Sequence, residues 1–223
     1  MSKQSLNELS QAVQDYLKII YKLQEFGPVA TTDIAKELEV SGASVTGMIK
    51  RLDSMGFVEY NSYKGVRLSS LGEKYALEIL RLHRLLELYL KEKMGFSLDK
   101  IHDEACRLEH HISEEFSDKI DEMLGYPEFD PHGHPIPSKS GKIPAMKEQK
   151  LSKIEPVAKL VITRIDDNDM KLLAYFESIG LLPNVEVDVL EKEPFNGPIK
   201  INYLGQTKVI GNEIAQCIYV TAR

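Results

Sequence analysis

The apolar residues of this chain of 223 residues change their spacing once, and that change narrows the fold more than any other feature. From Leu9 to about Leu124 they recur every three to four residues, as on buried helix faces, with one strand-like interruption. Beyond Glu155 they fall in short runs bounded by turn residues, as in strands. Between them, residues 126–144 hold five prolines and read as an extended linker. Such a chain is mainly α, with a small β-barrel at its C-terminal end, and is long enough for three small domains. The expected boundaries are 1–76, 77–144 (including the Pro-rich linker) and 145–223.

The first domain reads as a winged helix-turn-helix. Val13, Tyr16, Leu17, Ile20 and Leu23 give a helical stripe that Gly27-Pro28 ends, with Asp15 off the stripe. Thr32 is expected to N-cap a short helix through Leu38, with Asp33 in its first turn. After the tight connection Glu39-Val40-Ser41, a second helix from Gly42 to Ser54 buries Val45, Ile49 and Leu52 and stops at Gly56. Residues 57–68 form a hairpin with its tip at Asn61-Ser62-Tyr63-Lys64-Gly65. The outer face of the second helix offers Ser41, Ala43, Ser44, Thr46 and Gly47 to base edges. Lys50 and Arg51, with Lys64 or Arg67 of the wing, can neutralise phosphates. The net charge of −6 opposes DNA binding only on average, because residues 1–76 carry nine basic against nine acidic side chains.

A long helix from about Leu71 to Met94 follows. Its leucines 80, 82, 85, 86, 88 and 90 exceed one buried stripe, so a second face is expected to meet a partner; a fully buried helix is the alternative. A homodimer would suit a palindromic DNA site. His83 and Glu87 stand at i, i+4 on this helix. The segment His102-Asp103-Glu104-Ala105-Cys106-Arg107-Leu108-Glu109-His110 then puts an imidazole, a thiol, a carboxylate and a second imidazole on one helix face, the ligand types of a transition metal. Residues 77–125, with seven basic against twelve acidic side chains, favour cations. Two cysteines make no disulfide framework, which leaves Cys106 available to a metal. No run of about 18 apolar residues and no signal-peptide pattern occur, so the expected compartment is the cytoplasm and no membrane is involved. His132 and His134, in the Pro-rich loop, are expected to face solvent and not to act as ligands. The C-terminal strands, interrupted by one helix from Asp169 to Ile179, suggest an SH3-like β-barrel.

Taken together, these residues resemble the diphtheria-toxin-repressor family of metal-dependent transcriptional regulators, in its long three-domain form. The resemblance rests on Tyr16-Leu17-Lys18-Ile19-Ile20-Tyr21, Ser41-Gly42-Ala43-Ser44-Val45-Thr46, His83-Arg84-Leu85-Leu86-Glu87, the 102–110 segment and Gly133-His134-Pro135-Ile136-Pro137. It implies a homodimer that binds double-stranded promoter DNA when loaded with Fe²⁺ or Mn²⁺ at two sites per subunit and controls metal-uptake genes, with no small-molecule substrate. By the same resemblance, Asp15, Cys106, Glu109 and His110 would form the activating site. His83, Glu87 and His102 would form an ancillary one with a C-terminal acid, Asp169 being nearest and Asp166 and Asp167 close by. A second C-terminal ligand of some members would fall near Leu172, which cannot coordinate.

Asp15 with Cys106 combines the ligand patterns of manganese- and iron-responsive relatives. The carboxylate suits Mn²⁺, the thiolate favours Fe²⁺, and affinity rises from Mn²⁺ to Fe²⁺, which tips the reading to iron. Gly47 and Ala43 stand where family members often have glutamine and proline, so the operator sequence does not carry over. An enzyme is the rival class, since Cys106-x-x-Glu109-His110 resembles a zinc-protease spacing. A hydrolase needs Glu109 as a free base and gives the helix-turn-helix no role, so no enzyme is expected.

Overall fold

The computed structural model describes residues 6–223, and the chain divides into two compact units. The first runs to Leu85 and takes in Cys106–Met123 and Pro137–Ile143. Its N-terminal part contains α1 (Gln11–Leu23), continued by a 3₁₀ turn at Gln24–Phe26, then α2 (Thr31–Glu37), α3 (Gly42–Ser54) and a hairpin of β1 (Val58–Asn61) with β2 (Gly65–Leu68). The hairpin is antiparallel, with Val58 opposite Leu68 and Asn61 opposite Gly65. Val13, Leu17, Ile20, Ile34, Val45, Ile49, Leu52, Phe57 and Val66 close one core. Into it packs Tyr75 of α4 (Ser70–Glu92), edge-on to Phe57 with ring centroids 5.2 Å apart.

One helix start differs from expectation. The short helix begins at Thr31, and Ala30, not Thr32, occupies the N-cap without a side-chain cap. The cause lies just upstream, where Val29 and Val66 exchange backbone hydrogen bonds of 2.8 and 2.9 Å. That bridge holds the chain extended up to Ala30 and lets the helix start two residues earlier. Ser41 does cap α3, its hydroxyl accepting the Ser44 N–H at 3.2 Å. Past Met55, Gly56 takes φ +77° and ends the helix as expected.

Leu80, Leu82, Leu85, Leu86, Leu88 and Leu90 of α4 are all buried within the single chain. The surplus of leucines therefore does not carry the argument for a partner face, although the helix also has exposed positions at Leu71, Glu73 and Lys74. After α4 come α5 (Leu98–Leu108) and α6 (Glu114–Met123). Among the described residues no helix is long and apolar enough to cross a membrane.

The second unit joins Leu86–Ala105 and Leu124–Ile136 to the chain from Pro144 onward. Its sheet holds β3 (Gln149–Lys150), β4 (Ala158–Ile165), β5 (Glu186–Lys192), β6 (Ile199–Tyr203), β7 (Gln206–Ile210) and β8 (Ile218–Ala222). The strands pair antiparallel in the order β3-β8-β4-β5-β6-β7, with α7 (Met170–Ile179) and the short α8 (Asn212–Ala215) beside them. The domain is SH3-like, as expected, but β3 and β7 remain edges, so the sheet is open rather than a closed barrel. Leu160, Ile162, Leu173, Phe176, Val187, Val189, Ile201 and Val220 fill its core. Glu177 of α7 accepts the Leu98 N–H at 3.0 Å and pairs with Lys91, fastening the end of α4 and the start of α5 to this domain.

The Pro-rich stretch is not an extended linker. Phe129 bridges Pro135, the Asp130 carboxylate accepts the N–H groups of His132 and His134 at 2.9 Å each, and His132 O accepts the Ile165 N–H of β4. Gly133 allows the loop to lie flat on β4: its φ is +90°, and a Cβ there would stand 2.0 Å from Thr163 O. As a result His132 is fully buried, against the expectation that it faces solvent.

Candidate metal centre

Within the first unit, α1 and the turn after α5 bring polar groups together. The helix that was expected to carry residues 102, 106, 109 and 110 on one face stops at Leu108, and the chain turns there, the His111 N–H bonding Leu108 O at 2.9 Å. Cys106 thus lies in the last helical turn, while Glu109 and His110 reach inward from the bend. His110 Nε2 is 3.2 Å from Asp15 Oδ1 and 3.4 Å from Glu109 Oε1. Asp15, Glu109 and His110 each offer a ligand atom, all within 4.8 Å of one another.

Gln14, which the sequence did not single out, orients this group. Its Nε2 donates to Leu6 O and Leu9 O at 3.2 and 3.1 Å, so its Oε1 is turned to His110 Nδ1, 3.1 Å away. An acceptor there makes Nδ1 a donor and turns Nε2 to Asp15 and Glu109. A buried glutamine on the apolar stripe of the first helix, one residue before Asp15, was the available signal.

A second residue not foreseen is Lys18. It is buried, its ammonium bonds Glu109 Oε1, and it lies 3.7 Å from Cys106 Sγ. The other Glu109 oxygen is 2.6 Å from His83 Nδ1. Burial disfavours the Glu109 charge, yet His83 and Lys18 together hold its carboxyl below the ordinary value. Burial likewise opposes the Lys18 charge, and Glu109, Cys106 and Asp15 outweigh it, raising that ammonium. Asp15 is pushed up, first by burial and further by the Glu109 charge, against the pull of His110 and Lys18. Two carboxylates and an imidazole with its Nε2 turned inward, with a thiol beside the lysine, fit a divalent transition metal.

The second unit holds another convergent group. Asp130, His132 and His134 offer ligand atoms within 4.8 Å of one another. His134 Nδ1 stands 3.5 Å from Asp130 Oδ2 and 3.9 Å from Asp167 Oδ2. His132 Nδ1 is 4.0 Å from Glu87 Oε2, and Glu87 Oε1 is 3.2 Å from His102 Nδ1. Among the described residues neither ring nitrogen of His132 has a hydrogen-bond partner, although the side chain is wholly buried. Buried polar atoms are ordinarily satisfied, and an orphaned imidazole with Nδ1 toward Glu87 fits a cation. Asp169 is used otherwise: it N-caps α7, accepting from Lys171 N at 2.8 Å and Leu172 N at 3.3 Å. Asp166 likewise accepts from Asn168. Of the three acids at 166, 167 and 169, the one facing His134 is Asp167. The sequence hid this group because proline-rich composition says nothing of where a loop lies.

The outer face of α3 is presented as expected. Ser41, Ala43, Ser44, Gly47, Lys50 and Arg51 are exposed, and Thr46 is half-buried with its hydroxyl bonding Gly42 O. Lys64 is exposed on the wing, next to Tyr63, which is 98% exposed. Asn61 Oδ1 accepts the N–H of both wing residues, at 2.9 and 3.2 Å, and stiffens the tip.

Three family models match the chain in series. The iron dependent repressor N-terminal DNA binding domain covers residues 8–66, the iron dependent repressor metal binding and dimerisation domain 69–138, and the FeoA domain 149–222. The chain is similar to the iron-dependent repressor IdeR of Mycobacterium tuberculosis, 30% identical over 96% of this chain and 99% of that one. To the diphtheria toxin repressor of Corynebacterium jeikeium it is 29% identical, over 84% and 88%. Among solved structures, a manganese-dependent transcriptional repressor in complex with manganese superposes with a TM-score of 0.87 at 36% identity, covering 95% of this chain and all of that one.

Proposed function

The chain belongs to the family of iron- and manganese-dependent repressors that includes the diphtheria toxin repressor, and on that premise we propose that it is a homodimeric repressor whose grip on palindromic promoter DNA is switched by Fe²⁺ or Mn²⁺. The observation that carries the switch is the convergence of Asp15, Glu109 and His110. Asp15 lies on α1, part of the same core as the recognition helix α3, whereas Glu109 and His110 belong to the segment matched by the metal binding and dimerisation model. A divalent ion supplies a charge that favours the arrangement in which these donors converge, and it can shift DNA affinity only by its preference for that arrangement. His110 is preset for this by Gln14. Glu109 is held by Lys18 and His83 rather than standing free as a base, which supports a binding protein over a hydrolase. The Cys106 thiol beside the site favours Fe²⁺ over Mn²⁺.

The ancillary site of this reading keeps Glu87 and His102 of the expected set and takes Asp167 in place of Asp169. It gives up His83, whose Nδ1 is engaged by Glu109, and adds Asp130, His132 and His134, for two ions per subunit. DNA contacts come from Ser41, Ala43, Ser44, Thr46, Gly47, Lys50, Arg51 and Lys64, in a cytoplasmic regulator of metal-uptake genes. The reading divides the chain into domains at 1–76, 77–144 and 145–223. The test is fluorescence anisotropy on a DNA fragment selected from a random pool by the Mn²⁺-loaded protein. At fixed salt, binding should be weak with chelator and strengthen with Mn²⁺, or with Fe²⁺ under anaerobic conditions. Equal binding in all three sinks the switch.

A further inference from the structure

We propose that the Lys18 ammonium is a tethered cation that holds the activating site in the metal-free protein and must withdraw before a divalent ion enters, so that Lys18 sets how much metal the switch needs. The inference rests on Asp15, Cys106, Glu109 and His110 being the activating ligands. A lysine is rarely buried unless it is paired, and Lys18 is only 6% exposed. It is paired with the donors of the site itself: its ammonium bonds Glu109 and lies 3.7 Å from Cys106 Sγ. From one turn away on α1, Asp15 faces the same group through His110. A positive charge on Glu109 Oε1 and a divalent ion held by the same oxygen exclude each other by repulsion in a site shielded from water.

The molecule has a way to resolve that conflict. Asp15 remains 32% exposed, so the cluster opens to solvent on its α1 side. A four-carbon stem lets an ammonium swing from a buried position to water while its methylenes stay packed. The alternative is that Lys18 is a plain clamp between α1 and the turn after α5. The two readings differ in sign: a clamp that preforms the site would strengthen metal binding, and a competitor weakens it.

The measurement is Co²⁺ affinity of the full-length protein by competition with a chromophoric chelator, with the thiolate-to-cobalt absorption band reporting Cys106. Lys18→Gln and Lys18→Met should bind Co²⁺ at the band-giving site roughly 10- to 100-fold more tightly than wild type, the range expected for removing one charged hydrogen bond. Lys18→Arg, which keeps the cation, should stay near wild type. Unchanged or weaker binding in the neutral variants, with the band present, overturns the proposal alone. A band that is missing, or that survives Cys106→Ser, overturns the activating-site reading and the proposal with it. Should the neutral variants not fold, the wild-type protein still decides: the ¹³Cε resonance of Lys18, assigned by its loss in Lys18→Arg, should move to the position of solvent-exposed lysines on titration with Zn²⁺. A resonance that stays put refutes the withdrawal.

Discussion

His83 Nδ1 lies 2.6 Å from Glu109 Oε2, while the opposite oxygen of that carboxylate takes the Lys18 ammonium. One buried side chain thus links α4 and α1 to the turn after α5, before any ion is considered. Glu109→Gln should destabilise the metal-free protein by about 3 kcal/mol, because it leaves Lys18 buried opposite a neutral amide. The effect must depend on pH. Burial opposes the Glu109 charge, but His83 and Lys18 hold the folded carboxyl below its ordinary 4.5. The stabilisation is therefore complete above that ordinary value and is lost as pH falls through the folded one. Urea titrations of wild type and Glu109→Gln should differ fully at pH 7 and converge in acid below 4.5. A gap that widens in acid refutes the assignment.

His132 makes the opposite prediction. Both of its ring nitrogens are buried without hydrogen-bond partners among the described residues, so the metal-free fold bears the cost of their lost hydration. Replacing the ring by an apolar side chain, His132→Leu, should stabilise the metal-free protein by about 1 kcal/mol. The same change should lower the Mn²⁺ stoichiometry by one ion per chain, read by equilibrium dialysis. A variant less stable than wild type with undiminished stoichiometry would remove His132 from the ancillary site.

These two residues show how far the sequence could be read. Glu109 was legible because its neighbours at 102, 106 and 110 repeat at helical spacing, although the helix itself ends at Leu108. The winged domain was legible for a similar reason: Val45, Ile49 and Leu52 mark α3, and turn residues mark the wing. His132 was not legible, since its burial depends on Gly133 lying against Thr163 O, a contact between segments about thirty residues apart. Lys18 was hidden in a different way. A lysine on an amphipathic helix ordinarily belongs to the solvated face, and only the turn after α5 reveals that this one points inward. The capping duty of Asp169 depends likewise on α7 beginning at Met170, a start that acids at 166, 167 and 169 leave open in the sequence.

Glu177 gives a local stability test in the SH3-like domain. Its carboxylate accepts the Leu98 N–H at the start of α5 and pairs with Lys91, and each partner side chain is 29% exposed. With solvent screening the pair, Glu177→Ala should cost about 1 kcal/mol locally, mostly as a lost helix cap. Amide exchange at Leu98 should then quicken by roughly fivefold. Unchanged exchange would mean that water replaces the carboxylate at no cost.

Charge and shape on the DNA face can be separated by salt. Lys50 and Arg51 are exposed along α3, where a phosphate contact by either releases a counterion on binding. Lys50→Ala and Arg51→Ala should each weaken binding of the metal-loaded protein and reduce the slope of log affinity against log salt by about 0.9. Tyr63 carries no charge and stands exposed at the tip of a wing stiffened by Asn61. If its ring packs against the sugar-phosphate wall, Tyr63→Ala lowers affinity at every salt concentration and leaves the slope unchanged. Anisotropy titrations between 50 and 300 mM KCl, roughly the range over which phosphate contacts dominate the salt response, distinguish the two. A slope unaffected by either basic substitution would place the DNA on another face of the winged domain.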